Sequence, residues 1–369
     1  MAARLAPILC ALLLSLFGCA TQSGEPTERP DAQRSCTLAG CAAPYEIRAV
    51  VLAMWEVGEV EGDSPGEFQL WKSRQGLDRR LPFPHGEFDL YLNEKTGVLG
   101  AVTGVGTAKS AATVMALGLD PRFDLRNAYW LVAGVAGIDP EDASIGSAAW
   151  STYLIDGDLG HEIDAREIPA DWSTGFFPLR TPGPYPDERP ASRGELFKIN
   201  DGLRNWAFEL TQDTALPDSP ALEQARSRYT EHPRAQLPPF VLKGGHMAAM
   251  TYWHGALMNR WANDYVRYWS DGATDMVTSA MEDTGSYLAI ERLHRLGRVD
   301  QSRFMVLRAG SNYTMPPPGI SAIENLRSEQ SGYTAMIASL EALYRVGSRV
   351  LDELTGNWSR YRDRVPSAL

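Results

Sequence analysis

The sequence predicts a layered α/β fold, and three observations lead there. Short runs of β-branched and apolar residues recur along the chain, as in IRAVVLAM (47–54), NAYWLVA (127–133) and RFMVLRA (303–309). Runs of this length read as strands buried on both faces. Helical stretches alternate with them, which is the pattern of strands covered by helices in layers. The composition supplies the material: 44% of 369 residues are hydrophobic and 22% charged, enough to bury a sizeable core and too apolar for a disordered or fibrous chain. Net charge is −11 with no lysine-rich run, which excludes a nucleic-acid backbone as partner, since that affinity needs clustered cations.

The first 18 residues read as a secretory signal: one arginine (Arg4), an apolar run over 5–17, then small residues. The run is too short to span a bilayer. Its end, Leu16-Phe17-Gly18-Cys19, resembles the lipobox of bacterial lipoproteins, which implies a diacylated Cys19 anchoring an exported protein; an ordinary signal peptide is the alternative. Ala20, rather than Asp, favours the periplasmic side of the outer membrane within the bacterial cell envelope. Residues 19–44 then form a polar tether expected to be disordered. Of the four cysteines, Cys10 lies in the signal, and Cys36 and Cys41 either pair in an oxidising compartment or stay as two thiols. None follows Cys41, so thiol catalysis and cysteine-based zinc sites are excluded from the body. No second apolar stretch of membrane-spanning length occurs, so a self-contained channel is not expected.

The body, 45–369, reads as one α/β unit. Residues 47–54 are the first strand and 97–103 the second, after which Gly104-Val105-Gly106 opens an Ala-rich helix reaching residue 116; alanine is the strongest helix former. Residues 127–133 form a third strand, ending in the loop Gly134-Val135-Ala136-Gly137, and 147–155 a fourth. The proline-rich stretch at about 181–245, with one helical patch, reads as a long surface excursion. Residues 248–269 are aromatic-rich and helical, and 276–296 repeat apolar residues at mixed helical spacing. Residues 303–309 form a late core strand and 333–354 an amphipathic closing helix. No internal repeat is visible.

Several residues are candidates for chemistry. Gly104 and Gly106 stand between a strand and a helix, where backbone N–H groups hold anions, although the third glycine of a dinucleotide fingerprint is replaced by Lys109. With Gly134 and Gly137 at the next strand end, they outline a small-ligand crevice; a packing turn is the plain alternative. Gly62-Asp63-Ser64-Pro65-Gly66 formally matches a hydrolase elbow, but Pro65 has no N–H to lend to an oxyanion, so an esterase is disfavoured. The six histidines lack metal-site spacing, and no metal is expected. Tyr252-Trp253-His254 either lines a pocket or sits in the core. Met281-Glu282-Asp283 puts paired carboxylates on an otherwise apolar helix, facing solvent or accepting from sugar hydroxyls. Ser311-Asn312 ends the late strand, pointing into the crevice or capping a turn.

The stretches TGVGTAKSAA (103–112), FDLRNAYWLVAGVAGIDPEDASIGSAAW (123–150), DGDLGHEIDAREIPADWSTGFFPLR (156–180), YWHG (252–255), MEDTGSYLAIERL (281–293) and LRAGSNYTMPPPG (307–319) resemble, in order, the purine nucleoside permease family. That family is in turn similar to the nucleoside phosphorylases and nucleosidases. The resemblance implies a three-layer α/β/α fold around a mixed, barrel-like sheet, and cleavage of the N-glycosidic bond of purine nucleosides in uptake or salvage. It places Thr103, Gly104 and Gly106 on the water or phosphate side of the sugar and makes Met281 and Glu282 the ribose-binding pair. Asn312 falls where relatives carry an Asp that hydrogen-bonds or protonates the purine; hydrogen bonding is retained here, proton donation is not assured. Val132 and Val135 stand where phosphate-gripping residues flank the Gly134 to Gly137 loop, which favours water over phosphate as nucleophile. Glu56 or Glu59 would then polarise that water, and Phe176, Trp253, His254 and Ser311 would border the base. No cofactor is implied, phosphate being the one alternative co-substrate; a homo-oligomer is allowed. The competing reading is a non-catalytic nucleoside-binding lipoprotein that serves transport.

Overall fold

Strand β1 (Ala49–Ala53) shows how the layers arise. All five residues are buried, and successive side chains point to opposite faces. Val50 and Leu52 join a cluster with Val114, Leu117, Ile290 and Leu293, whereas Val51 joins Trp71, Leu343, Val346 and Val350. A strand covered on both faces needs apolar residues at every position, which is what the continuous run supplies. The computed structural model describes residues 43–329 and 332–368; the leader 1–18, Cys19, Cys36 and Cys41 lie outside the described residues.

The remaining strands of the ten-stranded sheet are β2 (Arg79–Leu81), β3 (Leu90–Asn93), β4 (Val98–Val102), β5 (Tyr129–Ile138), β6 (Ala148–Asp156), β7 (Leu196–Lys198), β8 (Val241–Ala248), β9 (Met276–Ala280) and β10 (Phe304–Tyr313). The helices are α1 (Gln69–Arg74), α2 (Thr107–Leu119), α3 (Asp201–Thr211), α4 (Pro220–Arg226), α5 (Ala256–Trp269), α6 (Asp283–Arg295), α7 (Ala322–Glu329), α8 (Met336–Gly356) and the short α9 (Trp358–Tyr361). The sheet closes on itself: β10 pairs parallel with β5 and antiparallel with β6, β6 pairs parallel with β8, β8 with β9, and β9 antiparallel with β5. From this ring β1, β4, β3 and β2 extend as a wing, and β7 adds an edge to β6. This is the expected three-layer arrangement around a mixed, barrel-like sheet. Among the described residues no helix is long and apolar enough to cross a membrane.

Two irregularities bend the ring, one in β8 between Gly244 and His246 and one in β10 between Gly310 and Asn312. A bulge adds a residue on one strand and breaks the strict alternation of side chains. In β10 it lets the consecutive residues Ser311 and Asn312 both border the same cavity.

Four boundaries differ from the sequence expectations. The third strand does not stop before Gly134: β5 runs on through Gly137, because its ladder with β10 uses backbone groups that glycine also has. The segment 248–269 is not one helix. Residues up to Ala248 belong to β8, and α5 starts only after Gly255. The segment 276–296 divides into β9 and α6, so Met281, Glu282 and Asp283 sit at a strand-to-helix junction rather than on a helix face. The proposed excursion at 181–245 overruns the surface at both levels. Its last five residues open β8, and α3 buries Leu203 and Ala207 in the core while Trp150 Nε1 donates to Thr211 Oγ1 at 2.9 Å.

Helices α2 and α6 pack closely at their N-terminal ends. A side chain built on Gly285 would place its Cβ 2.1 Å from the carbonyl oxygen of Thr107, a backbone atom that cannot swing aside. Gly285→Ala is expected to lower stability by about 1–3 kcal/mol, the usual cost of overpacking, as read by denaturant unfolding; an unchanged midpoint would contradict this packing.

Candidate active site

A cavity of about 350 Å³ opens where β1, β5, β9 and β10 end together. Strand ends in an α/β sheet leave such crevices because the chain turns away from the sheet in different directions. Its polar centre is Arg308, a fully buried guanidinium and the one charged residue of β10. Nε and Nη2 donate to Asp283 at 3.1 and 2.7 Å, Nη2 also reaches Glu282 Oε2 at 2.9 Å, and Nη1 donates to the Val135 carbonyl at 3.0 Å. The register of β10 on β5 puts Arg308 opposite Gly134. A Cβ there would lie 2.4 Å from Arg308 Nη1 and 2.8 Å from Glu67 Oε1, so the glycine makes room for the guanidinium.

Burial disfavours both charges of the Arg308–Asp283 pair, and their mutual attraction overrides it. Arg308 is held above the ordinary arginine range, and Asp283 falls well below the usual carboxylate range. His246, whose Nε2 lies 2.9 Å from Asp283 Oδ2 and whose Nδ1 is 2.9 Å from Thr278 Oγ1, adds to the second effect. Charge-assisted pairs of this geometry are the strong ones. Glu282 is held from both ends, its Oε1 accepting from the Gly106 N–H at 3.1 Å and its Oε2 from Arg308.

The fifth ionisable group is Glu67. Its oxygens accept from the N–H groups of Met54 and Val135, each at 2.7 Å. Burial nevertheless pushes its carboxyl up to about 8, aided by the neighbouring Glu282 and opposed by Arg308 and the two N–H donors. A buried carboxyl with a raised pKa, beside a fixed cation and at a cavity wall, is the arrangement expected of a general base.

Of the residues singled out by sequence, Met281, Glu282, Ser311, Asn312, Tyr252, Trp253, Val135 and Gly137 border this cavity. Gly106 and Gly134 act from behind it, through Glu282 and Arg308. Thr103 and Gly104 do not border it: the Thr103 hydroxyl donates to the Gly104 carbonyl at 3.0 Å, and Gly104 abuts Glu87 and Lys109. Phe176 belongs to an adjoining cavity of about 170 Å³ that shares Trp253 with the first, and packs on Trp261 at 5.1 Å. His254 is half-buried away from the cavity wall, and burial lowers it to about 4, so it is neutral at pH 7. Glu56 and Glu59 are not placed to polarise water. The Glu56 carboxylate accepts from the N–H groups of Gly66, Phe68 and Gln69 and caps the start of α1, and Glu59 is exposed. Glu67 occupies the position they were expected to fill.

Sequence reasoning missed Glu67 and Arg308. Arg308 had a signal: a charge inside the apolar run FMVLRA (304–309) must find carboxylates when buried. Glu67 had none, lying at the end of an acidic, turn-rich segment. Among the described residues no group of His, Cys, Asp and Glu is arranged to hold a metal.

Comparisons with known proteins give the family and the fold. The protein of Schizosaccharomyces pombe named probable purine nucleoside permease is 28% identical over 293 residues, covering 77% of this chain and 81% of its own. The purine nucleoside permease of Candida albicans is 27% identical over 277 residues, covering 74% and 67%. Among solved structures, futalosine hydrolase of Helicobacter pylori superposes with a TM-score of 0.50 at 15% identity, over 84% of this chain and 99% of that one. A variant of the same organism's MTAN with 5′-methylthioadenosine in the active site gives 0.51 at 16%, over 84% and 99%. These two likenesses establish the nucleosidase-type fold. The purine nucleoside permease (NUP) model matches residues 46–366, and the chain belongs to that family.

Proposed function

We propose that this protein hydrolyses the N-glycosidic bond of a purine nucleoside. One observation carries the reading. Arg308 is the only basic residue on the cavity wall among the described residues, and Glu282 and Asp283 already occupy it. A phosphate dianion would find carboxylates there and no free cation, whereas water meets Glu67. The fungal relatives are named for purine nucleosides, and the solved neighbours include a hydrolase and a nucleosidase variant holding 5′-methylthioadenosine.

The chemistry follows from the placement of charge. Glu282 accepts from ribose hydroxyls while Met281 packs against the sugar, and Ser311 and Asn312 face the purine beside Tyr252 and Trp253. Ionised Glu67 takes a proton from water as its oxygen bonds to C1′. The C1′–N9 bond breaks, and its electron pair leaves with the purine. The sugar passes through an oxocarbenium-like state, and fixed carboxylates around it are worth more as that positive charge develops than before it exists. Export and acylation at Cys19 belong to the same proposal, supported by the sequence of residues 1–19, and would put the products in the cell envelope for uptake.

Incubation with inosine, adenosine and guanosine, with and without phosphate, is expected to release free base and ribose in both conditions. Base released only with phosphate would make the reaction phosphorolysis, and binding without release would make the protein a carrier. Glu67→Gln is expected to lower kcat about 10²–10⁴-fold, the usual contribution of a positioned base, with little change in KM. The pH dependence has a definite sign. Glu67 must be ionised, and its carboxyl sits at about 8, so kcat/KM is expected to fall about tenfold per unit below pH 7; a level acid limb would remove Glu67 from the role.

A further inference from the structure

The departing purine gains from a proton, and the amide of Asn312 has none to give up. Its Nδ2 already donates to Tyr252 Oη at 2.9 Å and to the Tyr313 carbonyl at 3.2 Å, and its Oδ1 accepts from Ser311 Oγ at 3.1 Å. The chain of contacts continues beyond it. Tyr252 Oη lies 3.2 Å from Oε2 of Glu329, the last residue of α7, and Glu329 Oε1 accepts from Asn325 Nδ2 at 2.7 Å. Tyr252 borders the main cavity. Glu329 borders a second one of about 280 Å³, and the two cavities share Ser311, Asn312 and Tyr333 as a partition.

We propose that Glu329 and Tyr252 form a proton relay that delivers a proton from the second cavity to the purine as it leaves. The proposal rests on the cleavage reading above and supplies the acid that Asn312 does not. As the C1′–N9 electron pair moves into the purine, the Tyr252 hydroxyl proton passes to a ring nitrogen and the Glu329 proton passes to Tyr252 Oη. Tyr252 therefore ends as it began. Glu329 is left as a carboxylate, and water in the second cavity reprotonates it.

The electrostatics suit these roles. Burial lifts the Glu329 carboxyl to about 7, so a protonated fraction exists near neutrality. Partial burial first, and then the neighbouring Glu329, hold the Tyr252 phenol above its ordinary range, so it stays neutral at pH 7 although the residue is 45% exposed. The other titratable groups around Glu329 are Tyr333 beside Tyr252, Glu324 on the same helix, and Arg228 and Tyr229 across the second cavity.

The test compares inosine with 7-methylinosine, whose quaternised ring leaves without needing a proton. Glu329→Gln keeps a hydrogen-bonding group beside Tyr252 and cannot deliver a proton. In that variant kcat for inosine is expected to fall about 10–100-fold, while kcat for 7-methylinosine stays within about twofold of wild type, a loss selective for a leaving group that needs an acid. The pH profile gives a second readout. With Glu67 ionised and Glu329 protonated, wild-type cleavage of inosine is level between about 7 and about 8 and falls on both sides. In the variant the alkaline fall disappears. Should Glu329→Gln fail to fold, the wild-type protein carries the comparison: the alkaline fall is expected with inosine and absent with 7-methylinosine. Equal losses on both substrates, or no loss on either, overturn the relay; a wild-type protein that cleaves neither nucleoside overturns the cleavage reading itself, and the relay with it.

Discussion

The guanidinium of Arg308 is enclosed by the carboxylates of Glu282 and Asp283, with a third, Glu67, close by. Removing such a charge from water costs several kcal/mol, and only well-aligned partners offset it. Each partner therefore needs a fixed position. Asp283 and Glu282 get theirs from the turn between β9 and α6, Glu67 from the backbone N–H groups of Met54 and Val135, and Arg308 from the pairing of β10 with β5. Gly134 leaves the space these groups share. The α2–α6 contact at Gly285 serves the same end, since it sets the distance between the Gly106 N–H and Glu282.

The arrangement also explains the unequal protonation of its acids. Asp283 makes two contacts to the guanidinium and stays ionised, whereas Glu67 faces the same cation across Gly134 and is lifted by its own burial. Two carboxyls beside one guanidinium are thus driven apart in proton affinity, one fixed in an ion pair and one left able to take up a proton near neutrality. This divergence is how a single site does acid–base work near neutral pH.

Much of the architecture was legible in the sequence, because a strand buried on both faces writes itself as a continuous apolar run. Residues 47–54 and 303–309 are of this kind. Strand β8 was not legible. Its sequence, VLKGGHMA, has a lysine and two glycines in the middle, yet it lies between β6 and β9 in the ring. There Gly244 and Gly245 are needed for close approach to Val277 and to the Asp275 carbonyl, so the packing that makes it a strand also erases the usual mark. The site divides in the same way. Glu282 and Asn312 stood in motifs whose neighbours identify them, while Glu67 reaches the cavity from the loop before α1, where Glu56 holds the N–H groups of Gly66, Phe68 and Gln69 on either side of it. Nothing local encodes that outcome. The choice of Glu56 or Glu59 failed for this reason: proximity to a strand end in sequence is not proximity to the cavity.

Closing five strands into a ring leaves the sheet with two free margins, β2 and β7, each three residues long. Arg79 and Arg80 lie on the first and Lys198 ends the second. Short, cationic margins are poor templates for the strand of another molecule. Apolar strands that would be adhesive in the unfolded chain thus end, within this sheet, in margins on which an aggregate could hardly grow.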